Sequence, residues 1–218
     1  MPELLALLLQ GLWESLYMTL VSTLLAYVLG LPLGLVLVVT DRDGICPVPW
    51  LNTVLGVVVN MLRSVPFLIL MVMVFPLSRL IVGTSIGTVA TIVPLTVAAA
   101  PFVARLVEGS LREADQGIIE AAQAMGCTTF QIVWKVLLPE ALPSLIAGFI
   151  NAAVTILSYG AMAGSIGGGG LGAMALKRGW TRNQLVVLYG AVIVLVLLVQ
   201  IFQTLGSRAA RRVDKRLR

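Results

Sequence analysis

Six stretches of this chain, Ser15–Thr40, Gly44–Leu62, Ser64–Ser78, Leu80–Ala104, Ala141–Leu176 and Asn183–Ser207, run for 15 to 36 residues without one charged side chain. A bilayer core about 30 Å thick is crossed by about 20 apolar helical residues. The stretches therefore predict transmembrane helices near 17–39, 54–77, 86–107, 144–165 and 185–206, five spans in an all-α integral membrane protein. The second span joins two adjacent stretches across Arg63. Pro66, three residues on, lacks a backbone donor and should loosen that helix.

Composition narrows the chemistry. Apolar residues make up 59% of the 218 and charged residues 11%, against about 25% charged in ordinary soluble domains. Disorder is excluded by the same excess of apolar residues. With no His and two Cys, most metal sites and every His-dependent acid–base scheme are excluded, so neither a catalytic nor a metal site is expected. Length alone leaves room for one or two domains. The chain is read as a single transmembrane domain over 1–218, with one long polar loop at 108–143.

An odd number of spans places the termini on opposite sides. With the N-terminus outside, ten basic residues fall inside: Arg42, Arg105, Arg112, Lys135 and the tail residues Arg208, Arg211, Arg212, Lys215, Arg216 and Arg218. Four fall outside: Arg79, Lys177, Arg178 and Arg182. The positive-inside bias then favours N-out, C-in. The net charge of +5 comes mainly from the basic tail, which suits an anionic leaflet, and no nucleic-acid partner is expected. Met1–Glu14 carries Glu3 and Glu14 and no basic residue, unlike a signal peptide. Cys46 and Cys127 lie in segments on the reducing side and should stay thiols.

No predicted span contains Asp, Glu, His or Lys. Ion-driven transporters usually carry an intramembrane carboxylate or His, and intramembrane hydrolases need a base or a metal. Any transport must draw its energy from elsewhere. Arg63 needs a partner or a route to water. Glu108 or Glu120 is its expected ion-pair partner, and contact with a substrate is the other reading. Small residues recur at four-residue spacing, Gly30 with Gly34 and then Gly160, Gly164, Gly168 and Gly172. Such spacing permits close helix packing within a subunit or at an interface. Within SYGAMAGSIGGGG, Met162 is the one large flexible apolar side chain, suited to core filling or to a gate that closes and reopens.

The long polar connection holds five of the ten acidic residues: Glu108, Glu113, Asp115, Glu120 and Glu140. Asp115 can cap a helix beginning near Gln116, with Ile118, Ala122 and Met125 on one face, and Gly126 breaks it. Thr128 and Gln131 have capping-box spacing for a second short helix. Phe130, Val133, Trp134 and Leu137 fall at i, i+3, i+4 and i+7, and Pro139 should stop it. This hairpin could lie on the lipid surface or dock a partner.

EAAQAMG, followed by nine residues and then VLLP, resembles the EAA motif of ABC-importer permeases. Glu120, Ala121, Ala122, Gly126, Leu138 and Pro139 match it, while Val136 stands where Ile is usual. LRSVPFLIL, IVGTSIG, IVPLTVAAAPFVARLVE, KVLLPEALP and GGGGLG are similar to the methionine-importer branch, so the resemblance covers nearly the whole chain. It implies a type I importer fold in the bacterial inner membrane. It also implies a permease homodimer with two ATPase subunits and an extracytoplasmic methionine-binding lipoprotein. Glu120, Ala121, Ala122, Gly126, Leu138 and Pro139 would then form the ATPase contact, with Gly126 as the turn. Met162, with Ser158, Tyr159 and Ser165, would line the translocation path at the dimer axis. Lys177, Arg178 and Arg182 would either touch the binding protein or form a solvated loop. The chain has no GxxxxGK[ST] sequence and no Gly-Lys pair, so it lacks the usual phosphate cradle and ATP with Mg²⁺ would sit in the partner. Selectivity for another amino acid, or a scaffold without transport, are the competing expectations.

Overall fold

The computed structural model describes residues 2–214, and over these the chain is helical without strands. Lys215, Arg216 and Arg218 of the basic tail lie outside the described residues. The helices are α1 (Pro2–Val39), α2 (Pro49–Ser64), α3 (Phe67–Val82), α4 (Thr88–Arg112), α5 (Gln116–Ala124), α6 (Thr129–Ile132), α7 (Leu138–Ala163), α8 (Gly170–Ala173) and α9 (Leu185–Val213). Four helical stretches, within α1, α4, α9 and the run from Thr129 to Trp180, are long and apolar enough to cross a membrane. The α2–α3 pair reaches that standard only when taken together.

That pair is the first departure from expectation. The predicted span 54–77 is not one rod, because α2 and α3 meet at 105°. Pro66 has no amide proton and drives Val65 out of the helical region, to φ −76° and ψ 126°. The helix is therefore broken there, not merely loosened.

Two further boundaries move. α1 begins at Pro2 rather than near 17, since its first turns are rich in Leu and Ala and hold no breaker. Glu14, which bounded the charge-free stretch, sits inside the helix because both carboxylate oxygens are occupied there, one by the Gln10 side chain and one by the Gly170 amide. Pro139 does not stop the helix begun at Thr129. α6 passes through a π-helical turn, Val133–Leu137, directly into α7. Leu138 N–H closes that wider turn onto Val133 C=O, and this widened turn accommodates Pro139, which has no N–H, at the start of α7 without ending the helix.

α4 is the central element: it packs on α1, α2, α3 and α7, and its side chains are the most deeply buried. Ala26, Leu95, Val103, Val107 and Ile156 from α1, α4 and α7 form the middle of the core. Gly30 and Gly34 lie against α4, where a Cβ on Gly34 would stand 2.5 Å from the Ala104 carbonyl oxygen. The later glycines also pack inside the subunit: a Cβ on Gly164 would strike the Ala173 backbone, and one on Gly172 the Ala161 backbone. Close packing within one chain is thus what the small-residue spacing encodes here. α9 leaves Val186, Ile193, Leu197, Ile201 and Leu205 exposed, the apolar outer face that lipid covers.

Candidate functional site: the α5–α6 hairpin and the α7 face

The hairpin forms for local reasons. The Asp115 carboxylate accepts the Gly117 amide at 2.8 Å and starts α5. The helix ends at Gly126, in the left-handed region at φ 76°, with its N–H on Gln123 C=O and the next amide, of Cys127, on Ala122 C=O. α6 opens with the predicted capping box, Thr128 accepting the Gln131 amide and Gln131 accepting that of Thr128.

The apolar residues of the hairpin divide between two surfaces. Val133 and Leu137 are buried in the subunit, whereas Phe130 and Trp134 stand 69% and 60% exposed with their rings edge-on at 6.3 Å. The predicted single stripe is split because the π turn changes the rotation per residue within it. On α5, Ala122 is buried while Ile118 and Met125 are exposed. Of the six residues expected at the contact, Glu120, Ala121, Gly126 and Pro139 are exposed, and Ala122 and Leu138 pack into the chain itself. The outward surface is thus Ala121, Met125, Gly126, Phe130 and Trp134, with Glu120 at its edge. A cavity of about 320 Å³ lies beneath α5, bounded by Asp41, Asp43, Arg112, Gln116, Glu120 and Gln123.

A charge network roots the hairpin. Glu108, buried near the end of α4, accepts from Arg105 at 2.5 Å and from Arg112 at 3.0 Å. Arg112 also meets Asp41 at 2.6 Å, and Arg105 donates to Gly56 C=O and to the Asn60 side chain. The α1–α2 loop, α2 and α4 are thereby tied together four positions before α5 begins. The Asp41 carboxyl is held below the usual carboxylate range, first by the Arg42 amide it accepts and then by the Arg112 guanidinium. Arg63 is not part of this network. It is exposed in the last turn of α2, and the Glu108 expected to pair with it is already held by Arg105 and Arg112. The network was not anticipated from the sequence, although Arg105, Glu108 and Arg112 have the i, i+3 and i, i+4 spacing of helix ion pairs.

Along α7 and the turn after it, Ser158, Met162 and Ser165 project from one exposed side, Met162 being 49% exposed. Both hydroxyls are committed to backbone carbonyls, Ser158 to Val154 and Ser165 to Met162. The face therefore offers methylene and thioether surface and no charge. Tyr159 turns elsewhere and stacks on Phe67 of α3 with ring centroids 4.5 Å apart. Three of the four expected path residues are thus together and the fourth braces α3. Lys177, Arg178 and Arg182 are exposed at the end of the molecule remote from the hairpin.

These features define a class: a multi-helix membrane protein whose long α7 is continuous with an exposed two-helix hairpin. Residues 26–218 match the family of binding-protein-dependent transport system inner membrane components, and the chain belongs to that family. It is 50% identical over 210 residues to a probable D-methionine transport system permease protein, MetI, of Vibrio cholerae, covering 96% of this chain and 93% of that one. It is 42% identical over 181 residues to the methionine import system permease protein MetP of Bacillus subtilis, covering 83% and 82%. Among solved structures it is similar to an inward-facing MetNI methionine ABC transporter chain, with a TM-score of 0.97, 45% identity and coverage of 99% and 100%.

Proposed function

We propose that this chain is the permease subunit of an ATP-driven methionine importer in a bacterial inner membrane. It works as a homodimer on two ATPase subunits and is supplied by an extracytoplasmic binding lipoprotein. The observation that carries this reading is the continuous helical run from Thr129 through the π turn to Ala163. It joins the exposed Phe130–Trp134 surface to the Met162 face, so a force applied at the hairpin reaches the path without crossing a flexible joint. ATP and Mg²⁺ belong to the partner. When the ATPase dimer closes, the two hairpins approach one another and α7, braced on α3 through Tyr159 and Phe67, tilts with them. The relatives named for methionine support the cargo.

We read the α2–α3 pair as the fifth span; in support, α2 starts on the hairpin side, where Asn52 bonds Leu37 C=O, and the segment after α3 lies on the far side, where Gly87 bonds Gly167 C=O. The described basic residues Arg42, Arg105, Arg112, Lys135, Arg208, Arg211 and Arg212 lie towards the hairpin side, which supports that side as cytoplasmic, N-out and C-in. The test is uptake of labelled L- and D-methionine by the complex reconstituted with its ATPase and binding protein, with and without ATP. ATP-dependent uptake of both enantiomers, with ATPase co-purifying one-to-one, is expected. Uptake independent of ATP, or preference for another amino acid in competition, would overturn the corresponding part.

A further inference from the structure

The loop following Met162 is held by residues more than 150 positions away in sequence. Glu14 Oε2 accepts the Gly170 amide at 2.7 Å and Ser15 Oγ accepts the Leu171 amide at 2.9 Å. The other Glu14 oxygen accepts from Gln10 at 3.0 Å, which fixes the carboxylate on α1. On the opposite flank the Gly87 amide, at the start of α4, donates to Gly167 C=O at 2.9 Å. The four glycines 167–170 are shaped to this clamp. A Cβ on Gly169 would collide with Thr88 and Glu14, and one on Gly170 would lie 2.5 Å from Ser15 Oγ, at a φ of 78° that favours glycine. The loop is thus seated between α1 and the first turn of α4, and it leaves α7 only a few residues after Met162. The far ends of α1 and α4 are joined again where Asp41, just past the end of α1, meets Arg112. One packed pair of helices therefore touches both the root of the hairpin and the loop behind the path residue.

We propose that Glu14 and Ser15 are positioning residues for transport: they latch the glycine loop to α1, so that the Met162 segment moves with the α1–α4 pair when the hairpin is driven. This rests on the reading of Met162 as a path residue given above. The latch works through hydrogen-bond acceptance by a backbone-facing oxygen. Gln at position 14 keeps such an oxygen and Ala does not. In the complete complex with ATPase and binding protein, the quantity to measure is methionine taken up per ATP hydrolysed.

Glu14→Ala should lower that ratio about tenfold, the scale of one lost hydrogen bond to a charged group. Glu14→Gln should recover most of it, with ATPase co-purification unchanged in both. A wild-type ratio in Glu14→Ala, or a Glu14→Gln variant as impaired as the Ala variant, overturns the latch. If Glu14→Ala fails to assemble, Ser15→Ala against Ser15→Thr decides. Loss of a few-fold in Ala only, the scale of one neutral hydrogen bond, supports the latch, and equal ratios overturn it. The underlying reading has its own control. A Met162→Cys variant, otherwise wild type, should crosslink to its counterpart in the nucleotide-free dimer, and absence of that crosslink overturns the path assignment irrespective of the Glu14 result.

Discussion

Gly126 separates two reasons for a glycine at the elbow of the hairpin. Its φ of 76° lies where L-residues other than Gly and Asn are rare, yet a Cβ built there meets no atom of its own chain within 4 Å. Within the subunit the cost of a side chain is therefore conformational alone, about 1–2 kcal/mol for an ordinary residue and most for a β-branched one. Gly126→Val should shift the elbow between its native and alternative geometries by about 5–30-fold. Gly126→Asn, which tolerates the left-handed region, should cost less than about 1 kcal/mol. Neither should change global thermal unfolding greatly, because the elbow is exposed. The assay is methionine uptake against ATP hydrolysis in proteoliposomes containing the assembled complex: Val is expected to hydrolyse ATP with little uptake, and Asn to behave nearly as wild type. If Asn is as uncoupled as Val, side-chain volume against the partner rather than backbone conformation is the reason for the glycine. If Val couples normally, the elbow does not transmit the force at all.

Three other perturbations follow from the same geometry. Glu108→Gln removes a carboxylate only 10% exposed from two arginines; Arg112 is 51% exposed and Arg105 25%, so the loss falls below that of a fully buried pair, about 2 kcal/mol, read as reduced thermal stability in detergent. Unchanged melting would mean that the network contributes nothing. Gly34→Ala, with its Cβ 2.5 Å from the Ala104 carbonyl, should destabilise by about 1–3 kcal/mol, whereas Gly160→Ala, 3.9 Å from Leu95, should be tolerated. Equal melting temperatures would refute the packing argument. Phe130→Ala should leave the fold intact, because the ring is largely exposed, and weaken ATPase association by about 2 kcal/mol or more. Binding of the separate ATPase to the purified permease measures this, and an unaltered affinity would remove Phe130 from the docking surface.

Much of the hairpin was legible in the chain because its signals are local. The Asp115 cap, the Gly126 break and the Thr128–Gln131 capping box each involve residues within three or four positions of one another, and all three form as expected. The continuation of the helix through Pro139 was not legible, since a π turn leaves no periodicity of its own. For the same reason the stripe Phe130, Val133, Trp134 and Leu137 read as one face and became two.

The long charge-free stretches by themselves determined that the chain is a helical membrane protein, because transfer of backbone and side chains into hydrocarbon depends on local composition. They also determined that no ion-coupling acid lies within the predicted spans. Only the tertiary structure decided the partners that lie far apart along the chain: Arg112 meets Asp41, 71 positions earlier, and Glu14 meets an amide 156 positions away. A buried or half-buried charge selects whichever partner the packed helices bring within about 3 Å. For Asp41 and Arg112 that choice is made by α1 closing on α4 through Gly30 and Gly34, whereas Glu108 takes its two arginines by spacing along α4 itself.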